Sequence, residues 1–100
     1  MVDLETQTIN SSLPMEITTL EEAVALTKRF TSKPDNEDLL KLYGLYKQAT
    51  EGDNHTERPG GFDFKAAAKY NAWEKQKGTP KEEAGQQYIS LVKKLSQEHL

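Results

Sequence analysis

The sequence predicts an all-α fold of four helices, on three observations. Apolar residues recur at helical spacing in four separate stretches. Those stretches are bounded by the capping residues, prolines and glycines that start and stop helices. No stretch alternates apolar and polar residues as a half-buried strand would. At 100 residues the chain has the length for one domain with one modest core.

Residues 1–17, MVDLETQTINSSLPMEI, are polar, contain Pro14 and hold no period, so they read as a flexible tail. The folded domain is then residues 18–100. Thr19-x-x-Glu22 has the spacing of a capping box, with side chains at both positions answering free backbone N–H groups. Leu20, Ala23, Val24, Thr27 and Phe30 follow at helical intervals. Pro34 disfavours helix at Lys33, and Asp35 or Asn36 can cap the next helix. The second helix is expected over Glu37–Thr50, with Leu39, Leu42, Tyr43, Tyr46 and Ala49 on one face and Leu40 and Lys47 on its flank. EGDNHTERPGGFDF reads as a long loop, and Phe62 and Phe64 suggest that its own side chains pack it. A third helix, KAAAKYNAWEKQK, groups Ala66, Tyr70 and Trp73, and Gly78 stops it. Thr79, Pro80 and Glu82 form the clearest start signal of all. Behind it, Ala84, Tyr88, Leu91, Val92 and Leu95 make a buried stripe that Gly85 interrupts.

Composition excludes several functions. The net charge is −3, from 13 basic and 16 acidic residues, which argues against a general nucleic-acid binder that neutralises phosphates over a broad surface. With no cysteine there are no disulfides, no thiolate catalysis and no Cys-based zinc site. No apolar run has the length of a membrane span, and the N-terminus lacks the regions of a signal peptide. The expectation is an intracellular, soluble protein, and the triplets Asn10-Ser11-Ser12 and Asn54-His55-Thr56 read as chance matches to a glycosylation motif. His55 and His99 have no second ligand at metal-binding spacing, so no metal site is expected. The carboxylates are spread over faces and caps with no isolated pair for acid/base work. Gly60-Gly61 lacks the Lys-Ser/Thr of a phosphate loop. An enzyme is not expected.

One set of residues resists the bland reading. Tyr43 and Lys47 are four apart and share a helix face. Lys69 precedes Tyr70 on the third helix, and Tyr88 lies on the face of the fourth. Any one such tyrosine is most simply a residue straddling core and solvent, and any one lysine a stem lying over apolar surface. Three helices that each offer an aromatic-and-polar edge weaken that reading. Lysines and phenols suit an anionic phosphate, and an aromatic face can stack on a base. From the residues alone the expectation stops at a helical domain for an anionic ligand.

LYGLYKQATEGDNHTERPG, then FDFKAAAKYNAWEKQKG and EEAGQQYISLVKKL, closely resemble the acyl-CoA-binding protein family over Leu20–Leu95. The core of the resemblance, Tyr43 to Asp53, is highly specific. It implies a four-helix bundle running up-down-down-up, with a long crossover between the second and third helices. It also implies an intracellular, cytoplasmic carrier that holds medium- to long-chain acyl-CoA without chemical change, needs no cofactor, and exchanges cargo with acyl-CoA-producing and acyl-CoA-consuming enzymes. A monomer without stable membrane insertion is expected.

By position in the resemblance, Tyr43, Lys47 and Lys69 hold the ribose 3′-phosphate, and Tyr46 and Tyr88 surround the adenine and neighbouring groups of CoA. Lys28 and Lys33 are further basic positions at the nucleotide end. Leu20, Ala23, Val24, Thr27 and Leu40 fall where the family lines its acyl groove. Tyr70 stands there beside Lys69 where many members have Trp, and Ala67 where many have Lys. Both departures bear on chain-length preference or affinity and leave the phosphate clamp in place. Two other readings are a module receiving a peptide helix in its aromatic groove, and a regulatory subunit of a lipid enzyme. Titration with acyl-CoA, free CoA and a peptide panel separates the first, and copurifying partners the second.

Overall fold

The computed structural model describes residues 17–100. Its four helices are α1 (Leu20–Thr27), α2 (Asn36–Glu51), α3 (Phe64–Glu74) and α4 (Lys81–His99). The four-helix, all-α expectation holds, and no strand occurs among the described residues.

Packing pairs give the topology. Helix α2 packs against both α3 and α4, and α1 packs against α4. Leu40 shares a trough with Ala68, and Gly44 lies against Ala72, so residue numbers rise together and α2 and α3 run parallel. Tyr46 sits beside Tyr88 and Ala49 beside Gly85, which makes α2 and α4 antiparallel. Thr27 shares a hollow with Tyr88, and farther along both the Thr31 N–H and hydroxyl donate to the His99 carbonyl at 2.6 and 3.1 Å. Helices α1 and α4 are therefore parallel, and the bundle runs up-down-down-up. A consecutive parallel pair needs a connection that returns the length of a helix, about 16 Å for the 11 residues of α3. That is the long loop.

The helix starts differ in how they are capped. At α1 the expected box forms: Thr19 Oγ1 accepts from the Glu22 N–H at 3.1 Å, and Glu22 Oε1 accepts from the Thr18 and Thr19 N–H groups at 2.8 and 3.2 Å. Those donors hold the Glu22 carboxyl below its ordinary range. Helix α2 begins one residue earlier than expected, after Asp35, whose side chain makes no capping bond. Asp63 caps α3 by accepting from the Ala66 N–H at 3.0 Å. At α4 the expected Thr79 cap does not form. Pro80 is extended, at φ −59° and ψ 148°, so the helix starts at Lys81. The Thr79 carbonyl instead accepts from Gln48 Nε2 at 2.8 Å.

The core lies where α1, α2 and α4 meet, around Ala23, Leu26, Leu42, Leu45, Ala84, Tyr88, Ile89, Val92 and Leu95. Ile17, expected in the tail, is 8% exposed and belongs to this core. The tail reading for residues 1–16 lies outside the described residues. The expected single stripe on α2 is also incomplete, because Gly44, Leu45 and Gln48 are buried as well. With neighbours on two sides, α2 buries more than one face.

The crossover loop corrects another expectation. Phe62 is 92% exposed and Phe64 76%, so neither packs it. Polar anchors do so instead. The buried Asn54 accepts from the Thr56 N–H and hydroxyl at 2.8 and 2.6 Å, and Asp53 Oδ1 accepts from Gln48 Nε2 and the Gly78 N–H, both at 2.9 Å. Trp73 Nε1 donates to the Gly52 carbonyl at 2.8 Å. Farther along, the Arg58 guanidinium lies 4.9 Å from the Tyr70 ring centre and donates to Asn71 at 3.2 Å. The loop is tied down at its backbone and polar tips, as turn-forming residues do.

Candidate functional site

The parallel pairing of α2 and α3 brings the tyrosine–lysine set together. Tyr43 and Lys47 project from one face of α2 toward α3, and Lys69 and Trp73 come from α3 one turn apart to meet them. Lys69 Nζ stands 5.4 Å from the centre of the Tyr43 ring. Lys47 Nζ stands 4.8 Å from the centre of the Trp73 ring and is hydrogen-bonded to the Glu51 carboxylate. That bond raises the Lys47 ammonium above its ordinary value against the opposing effect of partial burial, so it is charged at neutral pH. Lys69, by contrast, forms no ion pair among the described residues. Two ammonium groups on aromatic faces, one without an internal counter-ion, make a receptor for a polyanion.

Beside the cationic pair, the Tyr46 and Tyr88 rings lie 6.0 Å apart, tilted by 56°. They share a largely apolar hollow of about 320 Å³ with Val24, Thr27 and Tyr43. Burial pushes the Tyr88 hydroxyl above its usual range, which keeps it neutral and able to donate. Tyr46 also borders a second hollow, of about 340 Å³, with Leu20, Val24, Lys28 and Thr50. On the other side of Tyr43 a larger trough of about 560 Å³ runs between the N-terminal halves of α2 and α3. Leu39, Leu40, Phe64 and Ala68 supply its apolar walls, and Lys33, Lys65 and Lys69 its rim. The three spaces form one strip, because Tyr43 borders two of them and Tyr46 two.

Of the seven residues expected at the nucleotide end, six line this strip: Lys28 beside Tyr46, Lys33 beside Tyr43, and Tyr43, Tyr46, Lys69 and Tyr88 between them. The seventh, Lys47, lines none of the three spaces and sits over the Trp73 ring, one turn from Tyr43 on α2. The six residues expected in the acyl groove do not stay together. Leu20, Val24 and Thr27 line the hollows on the α1 side, and Leu40 lines the trough on the α3 side. Ala23 is 0% exposed and is pure core. Tyr70 borders none of the three spaces and lies under Arg58. The α1 positions were carried over from the family resemblance, and position on a short helix does not by itself distinguish a groove wall from core.

Ala68, Trp73 and Glu51 were missed as site residues. The small-residue run Ala66–Ala68 between lysines was the available signal for a trough, since a helix face without bulk leaves space beside its neighbour. Phe64, assigned to loop packing, forms part of the trough wall. Among the described residues, no group of three His, Asp or Glu side chains is placed to hold a metal ion. His99 Nδ1 is instead 2.8 Å from Ser32 Oγ, on the side of the molecule that ties the α1–α2 turn to the end of α4.

Residues 18–92 match the family model described as Acyl CoA binding protein. The chain belongs to the acyl-CoA-binding protein family. An acyl-CoA-binding protein from Dictyostelium discoideum is 50% identical over 80 residues, covering 80% of this chain and 95% of the relative. Acyl-CoA-binding protein homolog 1 of Caenorhabditis elegans is 47% identical over 75 residues, covering 75% of this chain and 87% of the relative. Among solved structures, the crystal structure of Oryza sativa Acyl-CoA-Binding Protein 2 superposes with a TM-score of 0.75 at 47% identity, covering 79% of this chain and 88% of the other. No helix among the described residues is long and apolar enough to cross a membrane.

Proposed function

We propose that this chain binds medium- to long-chain acyl-CoA thioesters non-covalently, buffering and carrying them without chemical change. The observation that carries the reading is the union of a cationic aromatic cluster and an apolar trough on one strip, joined at Tyr43 and Lys69. In this reading the ribose 3′-phosphate sits between Lys47, Lys69 and the Tyr43 hydroxyl. The adenine end meets Tyr46 and Tyr88, with Lys28 and Lys33 adding positive charge at the flanks. The acyl chain runs along Leu39, Leu40, Phe64 and Ala68 rather than along α1.

Among the described residues that path has apolar walls and a rim of lysines, with no acid/base or nucleophile–base pair arranged for chemistry. That supports a carrier that is not an enzyme and uses no metal or cofactor. It works as a cytoplasmic monomer that takes cargo from acyl-CoA-forming enzymes and releases it to acyl-CoA-consuming ones. Family membership supports the ligand class. The open, rimmed trough supports a cargo that enters and leaves without the bundle opening.

Native mass spectrometry of the purified protein tests this directly. The expected spectrum is a monomer carrying intact acyl-CoA, whose thioester survives prolonged incubation with the protein. Protein-dependent release of free thiol, absent from a heat-denatured control, would overturn the carrier reading.

A further inference from the structure

Glu51 is placed against the electrostatics of its own helix. It is the last residue of α2, where the negative end of the helix dipole disfavours a carboxylate, and no basic residue in that turn compensates. Its side chain is half-exposed, yet it closes on the Lys47 ammonium one turn back. The same ammonium is held over the Trp73 ring, whose indole N–H is fixed to the Gly52 carbonyl. Lys47 is therefore presented on a rigid platform with an internal anion already on it. Lys69, across the cluster, carries no such partner among the described residues.

Two anions cannot share one ammonium without repelling each other. A dianionic phosphate arriving at Lys47 repels the Glu51 carboxylate already there, and the half-exposed side chain can turn into water at little cost. When the phosphate leaves, the carboxylate is one helical turn away and returns. We propose that Glu51 is a built-in competitor for Lys47, displaced by the ligand phosphate on binding and reclaiming the ammonium on release. Glu51 touches no ligand in this account and acts through Lys47. It lowers the affinity of the resting site and hastens departure, which suits a carrier that must give up its cargo. The inference rests on the reading above that Lys47 meets the phosphate.

The test is a double-mutant comparison with palmitoyl-CoA, read by calorimetry and by stopped-flow dissociation. A half-exposed ion pair of this kind is worth a modest amount, so Glu51→Gln is expected to bind about two- to fivefold more tightly, chiefly through slower dissociation. The gain should shrink below about twofold in a Lys47→Met background and with a ligand lacking the 3′-phosphate. Glu51→Asp, which keeps the charge, should stay nearer the parent than Glu51→Gln does. An unchanged affinity for Glu51→Gln overturns the proposal. So does an equal gain in the Lys47→Met background, which would mean simple repulsion of the ligand instead of competition. If Lys47→Met alone leaves affinity unchanged, the phosphate reading itself falls, and the proposal with it.

Discussion

Asp53 does at the residue scale what no hydrophobic residue in the crossover loop does. Its Oδ1 accepts from the Gly78 N–H in the turn after α3 and from Gln48 Nε2, a side chain 1% exposed within α2. The Gly78 N–H first, and Gln48 second, hold the Asp53 carboxyl below its ordinary value. A carboxyl depressed in the fold binds fewer protons folded than unfolded. Its stabilisation is complete above the ordinary Asp range near pH 3.9 and is lost as pH falls through the lower folded value. Asp53→Asn, which keeps the shape and removes the charge, should therefore flatten the acid side of a plot of urea midpoint against pH. The Glu22 carboxyl, depressed by its capping bonds, should leave a residual slope. An acid limb unchanged in Asp53→Asn would contradict the role given to this carboxylate. The capping box at Thr19 was legible because a motif of adjacent residues announces it. The Asp53–Gly78 bond was not, because it joins residues brought together by the crossover.

Two glycines inside helices show what sequence alone leaves open at the scale of elements. Gly44 and Gly85 both sit mid-helix, where glycine costs about 0.5–1 kcal/mol relative to Ala through backbone entropy. A Cβ at position 44 would run into the Ala72 carbonyl of α3, whereas at 85 the nearest atom is the Ala49 Cβ at 3.9 Å. Gly44→Ala should thus destabilise by about 1–3 kcal/mol through overpacking, and Gly85→Ala should stabilise by about 0.5–1 kcal/mol. Urea unfolding checks both, and equal signs for the two would contradict the packing described. The same close approach at Gly44 explains part of what periodicity missed. A helix pressed by α3 on one side and α4 on the other buries Gly44, Leu45 and Gln48 as well as the expected stripe. Phe62 and Phe64 misled in the opposite direction, since aromatic side chains in a loop suggest packing while polar anchors hold this one.

Across the whole molecule the candidate site's polar residues were easier to single out from sequence than its apolar ones, of which Ala23 and Tyr70 lie away from the strip. Lysines and tyrosines at helical spacing have few reasons to sit together, so Tyr43, Lys47, Lys69 and Tyr88 stood out. Apolar residues have many reasons, and Ala23 and Leu40 look alike in sequence although one is core and the other lines the trough. The central claim is that phosphate cluster and trough serve one ligand. Isothermal titration with palmitoyl-CoA, free CoA and free palmitate tests it most directly. Each methylene withdrawn from water contributes up to about 0.8 kcal/mol, so a long chain in the trough outweighs any single polar contact. Palmitoyl-CoA should bind more tightly than either part alone by orders of magnitude, and free CoA more weakly the less of the strip it fills. Equal affinities for palmitoyl-CoA and free CoA would mean that the trough takes no acyl chain, and would contradict the account.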